Sequence, residues 1–293
     1  ASGLAQTPAG FLVDRFGARK VLFAGLGLLA VSTGLMATVT WFWLFAPLAV
    51  LAGIGNSVFH PADYSILTAS INPSRIGRAY GAHTLAGNLG WAVPPLAMLS
   101  LALLVGWRPA FVVASAAGLL TLALLLANAN LLRGDRKPQA ADIIAPAPRP
   151  ALETLLSTPI LMCFGYFILL AMALVAVQNF LPSLLTTTQS MLKETAGAVL
   201  TGFLLGSALG IAFGAVLADR SQKHGRIVAV GLTCAAVLFV AVGSFTLPAA
   251  ALFVLISSAG FLSGITTPSR DMLVRGATPK GAAGKVFGFV YSG

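Results

Sequence analysis

The sequence predicts an all-α polytopic membrane protein, and three observations predict it: an apolar composition, repeated apolar runs of spanning length, and basic residues confined to alternate loops. Hydrophobic residues make up 57% of the 293 residues and charged residues only 9%, where a soluble domain carries about a quarter charged. Mean hydropathy is +0.90. Such a chain cannot cover itself with polar surface, so lipid is its outer solvent. The net charge of +10 does not point to nucleic acid, because the charges fall in short clusters between apolar runs rather than on one basic face. Cys163 and Cys234 both lie inside apolar runs and read as small packing residues, not as a disulfide or metal site.

A hydrocarbon core needs roughly 20 helical residues to cross. Runs of that order are expected at 1–13 (cut short), 20–40, 43–71, 79–105, 108–128, 158–186, 195–217, 227–246 and 249–274, with a further start at 284–293. Their length excludes barrel strands, which need about 10 alternating residues. Sixteen of the 18 Lys and Arg residues lie on one set of alternate loops and helix ends; the opposite set holds only Arg108 and Lys193. Positive charge marks the cytoplasmic side. The loops at 14–20, 72–78, 129–157, 219–226 and 275–283 therefore face the cytoplasm, in a multi-pass protein of the cell's inner (plasma) membrane.

The 129–157 segment differs from the other loops. It carries Arg133-Gly134-Asp135-Arg136-Lys137 and the prolines Pro138, Pro146, Pro148 and Pro150, the composition of a flexible linker. It separates an N-terminal helix bundle, 1–128, from a C-terminal one, 158–293.

The two sides echo each other. Asp14-Arg15, Gly17 and Arg19-Lys20 return as Asp219-Arg220 and Gly225-Arg226. Pro61 returns as Pro268, and Gly77-Arg78-Ala79-Tyr80-Gly81 as Gly284-Lys285-Val286-Phe287-Gly288. Landmarks in one order with one charge sense predict parallel repeats related by an axis along the membrane normal. The chain starts without Met inside an apolar run and stops soon after another begins, so it reads as a fragment. By the repeat, one helix precedes Ala1 and about two follow the end of the fragment.

Gly10-Phe-Leu-Val-Asp14-Arg15-Phe-Gly17-Ala-Arg19-Lys20 resembles the G-x-x-x-D-[RK]-x-G-[RK]-[RK] signature of the major facilitator superfamily. Ala18 departs from it, displacing the first basic residue to Arg19. The resemblance covers the whole chain, from that family's second helix to the start of its eleventh. It implies two six-helix bundles related by pseudo-two-fold symmetry, with helix 1 and most of helices 11 and 12 lacking here. Gly55–Tyr64 and Gly87–Pro95 are similar to the fosmidomycin-resistance-type branch, which implies proton-driven antiport, drug efflux and antibiotic resistance. In the motif itself Gly10 permits close helix approach. Asp14, beside Arg15, Arg19 and Lys20, is expected to form a charged clasp that rearranges as the bundles rock. Asp219, Arg220 and Arg226 form its weaker, inequivalent echo.

Ionisable residues inside a membrane usually face a cavity or a partner. Asn56, His60 and Asp63, with Tyr64, share one face of a single predicted helix, and Pro61 can bend it. This set is the expected proton carrier. The alternative is a structural Asp63 paired with a nearby basic residue, with His60 merely hydrogen-bonded; on the repeat Asp63 corresponds to Arg270, with Asp271 beside it, so an Asp63–Arg270 pairing across the bundles is a hypothesis of that kind. His83, Asn88 and Trp91 on the next helix, Tyr166, Gln178 and Asn179 after the linker, and Ser263 and Thr267 are further polar marks. The resemblance places helices 4, 7 and 10 around the cavity, which brings Asn88, Trp91, Tyr166, Gln178, Asn179 and Thr267 forward as cargo contacts; ordinary helix–helix bonding competes for such residues. Gly202, Gly206, Gly210 and Gly214 form a stripe for close backbone packing, and a sliding contact between bundles is one use of it.

The expected function is secondary transport by alternating access, coupled to protons, exporting a drug or small metabolite. The rivals are a uniporter or importer on the same fold, and a sensor derived from a transporter. No G-x-S-x-G, H-E-x-x-H, C-x-x-C or G-x-x-x-x-G-K-[ST] occurs, so neither an enzyme nor a nucleotide-driven pump is expected. The expected partners are a small molecule, protons and the bilayer, for a monomer that needs no cofactor or metal.

Overall fold

The computed structural model describes residues 1–132 and 150–293, with backbone alone at 91 and 94–96. The linker's basic cluster Arg133–Lys137, its prolines Pro138, Pro146 and Pro148, and Arg149 lie outside the described residues. Among those described the chain forms twelve α-helices: α1 (Ser2–Phe16), α2 (Ala18–Met36), α3 (Phe45–Asn56), α4 (Phe59–Ser70), α5 (Ile76–Val105), α6 (Trp107–Ala127), α7 (Ala151–Leu155), α8 (Thr158–Thr188), α9 (Lys193–Arg220), α10 (His224–Ser244), α11 (Ala249–Ala277) and α12 (Ala283–Val290). Seven helical stretches, α3 and α4 taken as one, are long and apolar enough to cross a membrane. Only 11% of the most apolar part of α8 is buried, although Leu181 and Leu185 near its end join a buried cluster.

The turns follow from local chemistry. Gly17 and Gly106 separate consecutive helices at φ of 93° and 92°, a region that side chains disfavour. Asn72 accepts from the Ser74 amide at 3.0 Å and opens the short turn leading into α5. On the side with few basic residues, Arg108 donates to the Val39 carbonyl at 3.1 Å, which gives that isolated cation a structural task.

The expected single span at 43–71 is two helices. Pro61 has no N–H to return to the Ser57 carbonyl. The Ser57 amide turns back to both Gly53 and Ile54, and regular bonding resumes with the Ala62 amide on Val58. Ser57 and Val58 keep α-like angles, and the bonds on either side both run from residue i to i−4, so the helical path continues across the missing bond. Asn56 ends α3, and His60 and Asp63 lie on α4.

The helices gather into two compact units: Ala1–Ile71, Gly90–Gly165 and Ala277–Gly293 in the first, Asn72–Leu89 and Tyr166–Gly276 in the second. In the first, α2 packs on α3 and α6, while α12 packs on α1 and α4. Ala9, Val13, Ala18, Val21, Leu22, Val58, Ala62 and Ile66 form its buried cluster. Small residues let backbones meet: a side chain at Gly55 would strike the Gly25 carbonyl and the Leu29 amide, each at 2.6 Å. The Ser115 hydroxyl donates to the Ala30 carbonyl at 2.8 Å.

The second unit is organised by the glycine stripe. Side chains at Gly206, Gly210 and Gly214 would collide with the Ser257, Phe261 and Ile265 carbonyls, and those at Gly260 and Gly264 with the Phe203 and Ser207 carbonyls. Helices α9 and α11 thus interlock at four-residue intervals, close enough for Cα–H···O contacts. Both helices lie within 158–293, so the stripe is an internal packing seam and not the sliding contact expected between bundles. The reason is reciprocity: glycines on both helices meet carbonyls on the other.

Candidate gating and transport site

The sequence places Asp14 one turn after Gly10 on the same face of α1, and that face meets α12. A helix begins with amides that have no partner within it, at the positive end of its dipole. The Asp14 carboxylate takes up two of them at the start of α12: the Gly284 amide at 2.8 Å and the Lys285 amide at 3.1 Å. Gly10 and Gly284 make this approach possible, since a side chain on Gly284 would stand 2.6 Å from the Gly10 carbonyl. Burial of the carboxyl raises its pKa above the ordinary 3.8, while the two amides and the Lys285 charge pull it down.

The same device recurs in the second unit. Asp219, at the end of α9, accepts from the Gly77 amide at 2.7 Å and the Arg78 amide at 3.3 Å, at the start of α5. It also accepts from the Arg78 guanidinium. Gly81 lies one turn further, against Ala215, as Gly288 lies against Gln6 and Gly10 in the first unit.

These partners correct the expected clasp. Asp14 engages backbone amides from the distant end of the chain, not its neighbours Arg15, Arg19 and Lys20. Successive helical positions point in different directions, so Arg15 turns away and lies by Phe16. Arg19 donates to the Ala129 carbonyl at 3.2 Å, and Lys20 is exposed, as are Arg220 and Arg226. Sequence reasoning found both the acidic and the glycine echoes without seeing that they are each other's partners. Their shared order was the available signal.

Helix α4 presents its candidates to α12. His60 stacks on Tyr291 at 4.3 Å between ring centres, and Tyr64 stacks on Phe287 at 4.5 Å. The Tyr291 and Tyr64 hydroxyls are hydrogen-bonded, and both Tyr64 and Phe287 are buried. Tyr291 and Phe287 were missed as site residues. Asn56 instead donates to the Ser2 hydroxyl at 2.8 Å. Asp63 is half-buried on α4.

In the second unit the corresponding place is ionic. Arg270 Nε donates to Asp271 Oδ1 at 3.0 Å, with the Asp271 side chain fully buried. The guanidinium lies over the Phe167 ring of α8 at 4.4 Å, and the Asp271 charge acts on His83 of α5. Thr267 and Tyr166 are half-buried nearby in sequence, whereas Asn88 and Gln178 are exposed. Asn179 is also exposed and donates to the Val175 carbonyl of its own helix, and Ser263 likewise donates to Ala259. For these two, ordinary helix bonding is what the structure shows. The Trp91 side chain lies outside the described residues.

An all-helical, lipid-facing fold with two carboxylate clasps on helix starts defines a polytopic membrane protein of the transporter type. The family profile described as Major Facilitator Superfamily matches residues 1–293, and the chain belongs to that superfamily. It is similar to the probable L-galactonate transporter of Escherichia coli K12, 29% identical over 119 residues, covering 41% of this chain and 26% of that protein. It is 26% identical over 289 residues to the probable sulfoacetate transporter SauU of Cupriavidus necator, covering 89% of this chain and 65% of the relative. Membrane sensor protein UhpC of Salmonella typhimurium is 26% identical over 98% of the chain and 70% of its own length. The chain thus spans about a quarter of the first relative and just under two thirds of the second. The solved E. coli fucose:proton symporter FucP shares the fold, with a TM-score of 0.72 at 16% identity over 98% of this chain and 76% of that one.

Proposed function

We propose that the chain is the major part of a secondary transporter that moves a small organic anion across the inner membrane by alternating access, coupled to protons. The observation that carries this is the pair of clasps. Each joins a helix from 1–128 to one from 158–293, through a carboxylate on the exposed amides of a helix start. The polar bonds of each joint are the ones proposed to break and re-form as the two bundles rock. Both clasps lie beside the basic loops, the side that the charge distribution gives to the cytoplasm.

The cargo class rests on the relatives: L-galactonate and sulfoacetate are both small organic anions. A cationic chain with arginine and histidine inside its spans suits such a cargo. His60, Asp63 and Tyr64 on α4, with Arg270 and Asp271 on α11, are the groups proposed to exchange protons and meet cargo. Drug efflux is the second reading, favoured by the resemblance of Gly55–Tyr64 and Gly87–Pro95 to an efflux branch.

Flux of L-galactonate and sulfoacetate into proteoliposomes bearing the full-length protein, with an imposed pH gradient, tests the reading. Accumulation that follows the gradient is expected. Flux that ignores the gradient in both directions removes proton coupling. Binding without any flux would favour a sensor, as in the UhpC relatives, and no interaction with either anion beside flux of drugs would favour the efflux reading.

A further inference from the structure

Arg270 and Asp271 neutralise each other in an unusual way. Successive residues of a helix do not face each other, yet the pair is closed at 3.0 Å with side chains 13% and 0% exposed. Both side chains turn to meet, and the Phe167 ring supports the guanidinium from its face. The ring covers the face of the guanidinium, and Asp271 takes an edge position at Nε.

Resting on the organic-anion reading above, we propose that Arg270 is the binding group for the carboxylate or sulfonate of the cargo, and that Asp271 is a resident counter-ion which the cargo displaces. The planar guanidinium matches the two oxygens of such a group better than a lysine could. A buried arginine without a counter-ion is strongly disfavoured, and Asp271 supplies one when no cargo is bound. Replacing one carboxylate by another leaves the charge at the guanidinium unchanged. Cargo is therefore held against a competitor, weakly enough to be released on the other side. Asp271, once displaced, stays buried on α11. Two helices, α8 and α11, thus supply the supporting ring and the binding pair.

The test is calorimetric binding of L-galactonate and sulfoacetate to the purified full-length protein, with melting temperatures as a control of folding. Asp271→Asn removes the competitor and is expected to tighten binding at least tenfold, while enlarging the thermal shift produced by the anion. Arg270→Gln is expected to weaken binding at least tenfold, and Arg270→Lys to weaken it as well. Should either single variant fail to fold, Arg270→Gln with Asp271→Asn gives a neutral pair of similar shape, expected to fold and to bind poorly. Unchanged or weaker binding by folded Asp271→Asn, or wild-type binding by any folded variant lacking Arg270, overturns the proposal and leaves the organic-anion reading standing. If neither wild type nor Asp271→Asn binds either anion or any member of a panel of carboxylates and sulfonates, the organic-anion reading falls and takes this inference with it.

Discussion

Asp14 and Asp219 perform the same act in different surroundings. In the first unit glycine meets glycine, Gly10 against Gly284, and the carboxylate holds two amides. In the second unit alanine meets glycine, Ala215 against Gly81, and the carboxylate adds the Arg78 guanidinium, its own side chain only 4% exposed. Close backbone approach supports one joint and charge supports the other. One unit also places a neutral aromatic cluster above its clasp, with Tyr64 on Phe287 and Tyr291. The other places an ionic one there, Arg270 with Asp271. A transporter with two such joints need not open them with equal ease, and the polar joint is the more sensitive to charge.

The sharpest way to break the comparison is to remove the carboxylates. A helix cap is worth about 0.5–2 kcal/mol, and a hydrogen bond to a charged group about 1.5–3 kcal/mol, less where the partner is exposed as Arg78 is. Asp219→Ala is therefore expected to shift the protein toward its cytoplasm-open form more than Asp14→Ala does, by one to two orders of magnitude against about one. Labelling of cysteines introduced on the cytoplasmic ends of α5 and α12 reads both shifts. Equal shifts would mean that the Arg78 bond contributes nothing.

The steric half of the comparison comes next. Gly10→Ala puts a methyl into the Gly284 carbonyl and 2.8 Å from the Lys285 Cα, so the first joint should weaken by about 1–3 kcal/mol, the usual cost of overpacking. Ala215→Gly, at the matching place, should change the second joint by less than that. The same labelling measures both, and a silent Gly10→Ala would show that α1 and α12 are free to move apart. The smallest expected effect belongs to Tyr291→Phe. It removes the bond to Tyr64 but keeps the stacking, and about 1 kcal/mol is at stake. Thermal melting with and without cargo would register it.

Much of this was legible in the residues. The apolar runs named the helices because a span must satisfy its backbone internally, and lysine and arginine named the sides. Gly10, Asp14 and Gly17 announced a turn with a purpose, and the repeat gave Asp219 the same one. What the residues could not announce was where those carboxylates would point. Charge proximity along the chain makes Arg15, Arg19 and Lys20 the visible partners for Asp14, while amides at residues 284 and 285 carry no distinguishing side-chain signal. Tyr291 and Phe287 were passed over because aromatic residues in an apolar run look like lipid-facing bulk until a partner helix is known.

By itself, then, the sequence determined that this is a polytopic helical membrane protein with a duplicated, charged turn, because composition, span length and charge sign act locally. Only the tertiary structure decided that each turn's carboxylate closes on the start of a helix from the other half of the chain. That choice depends on which faces meet, and here they meet between residues 141 to 271 positions apart.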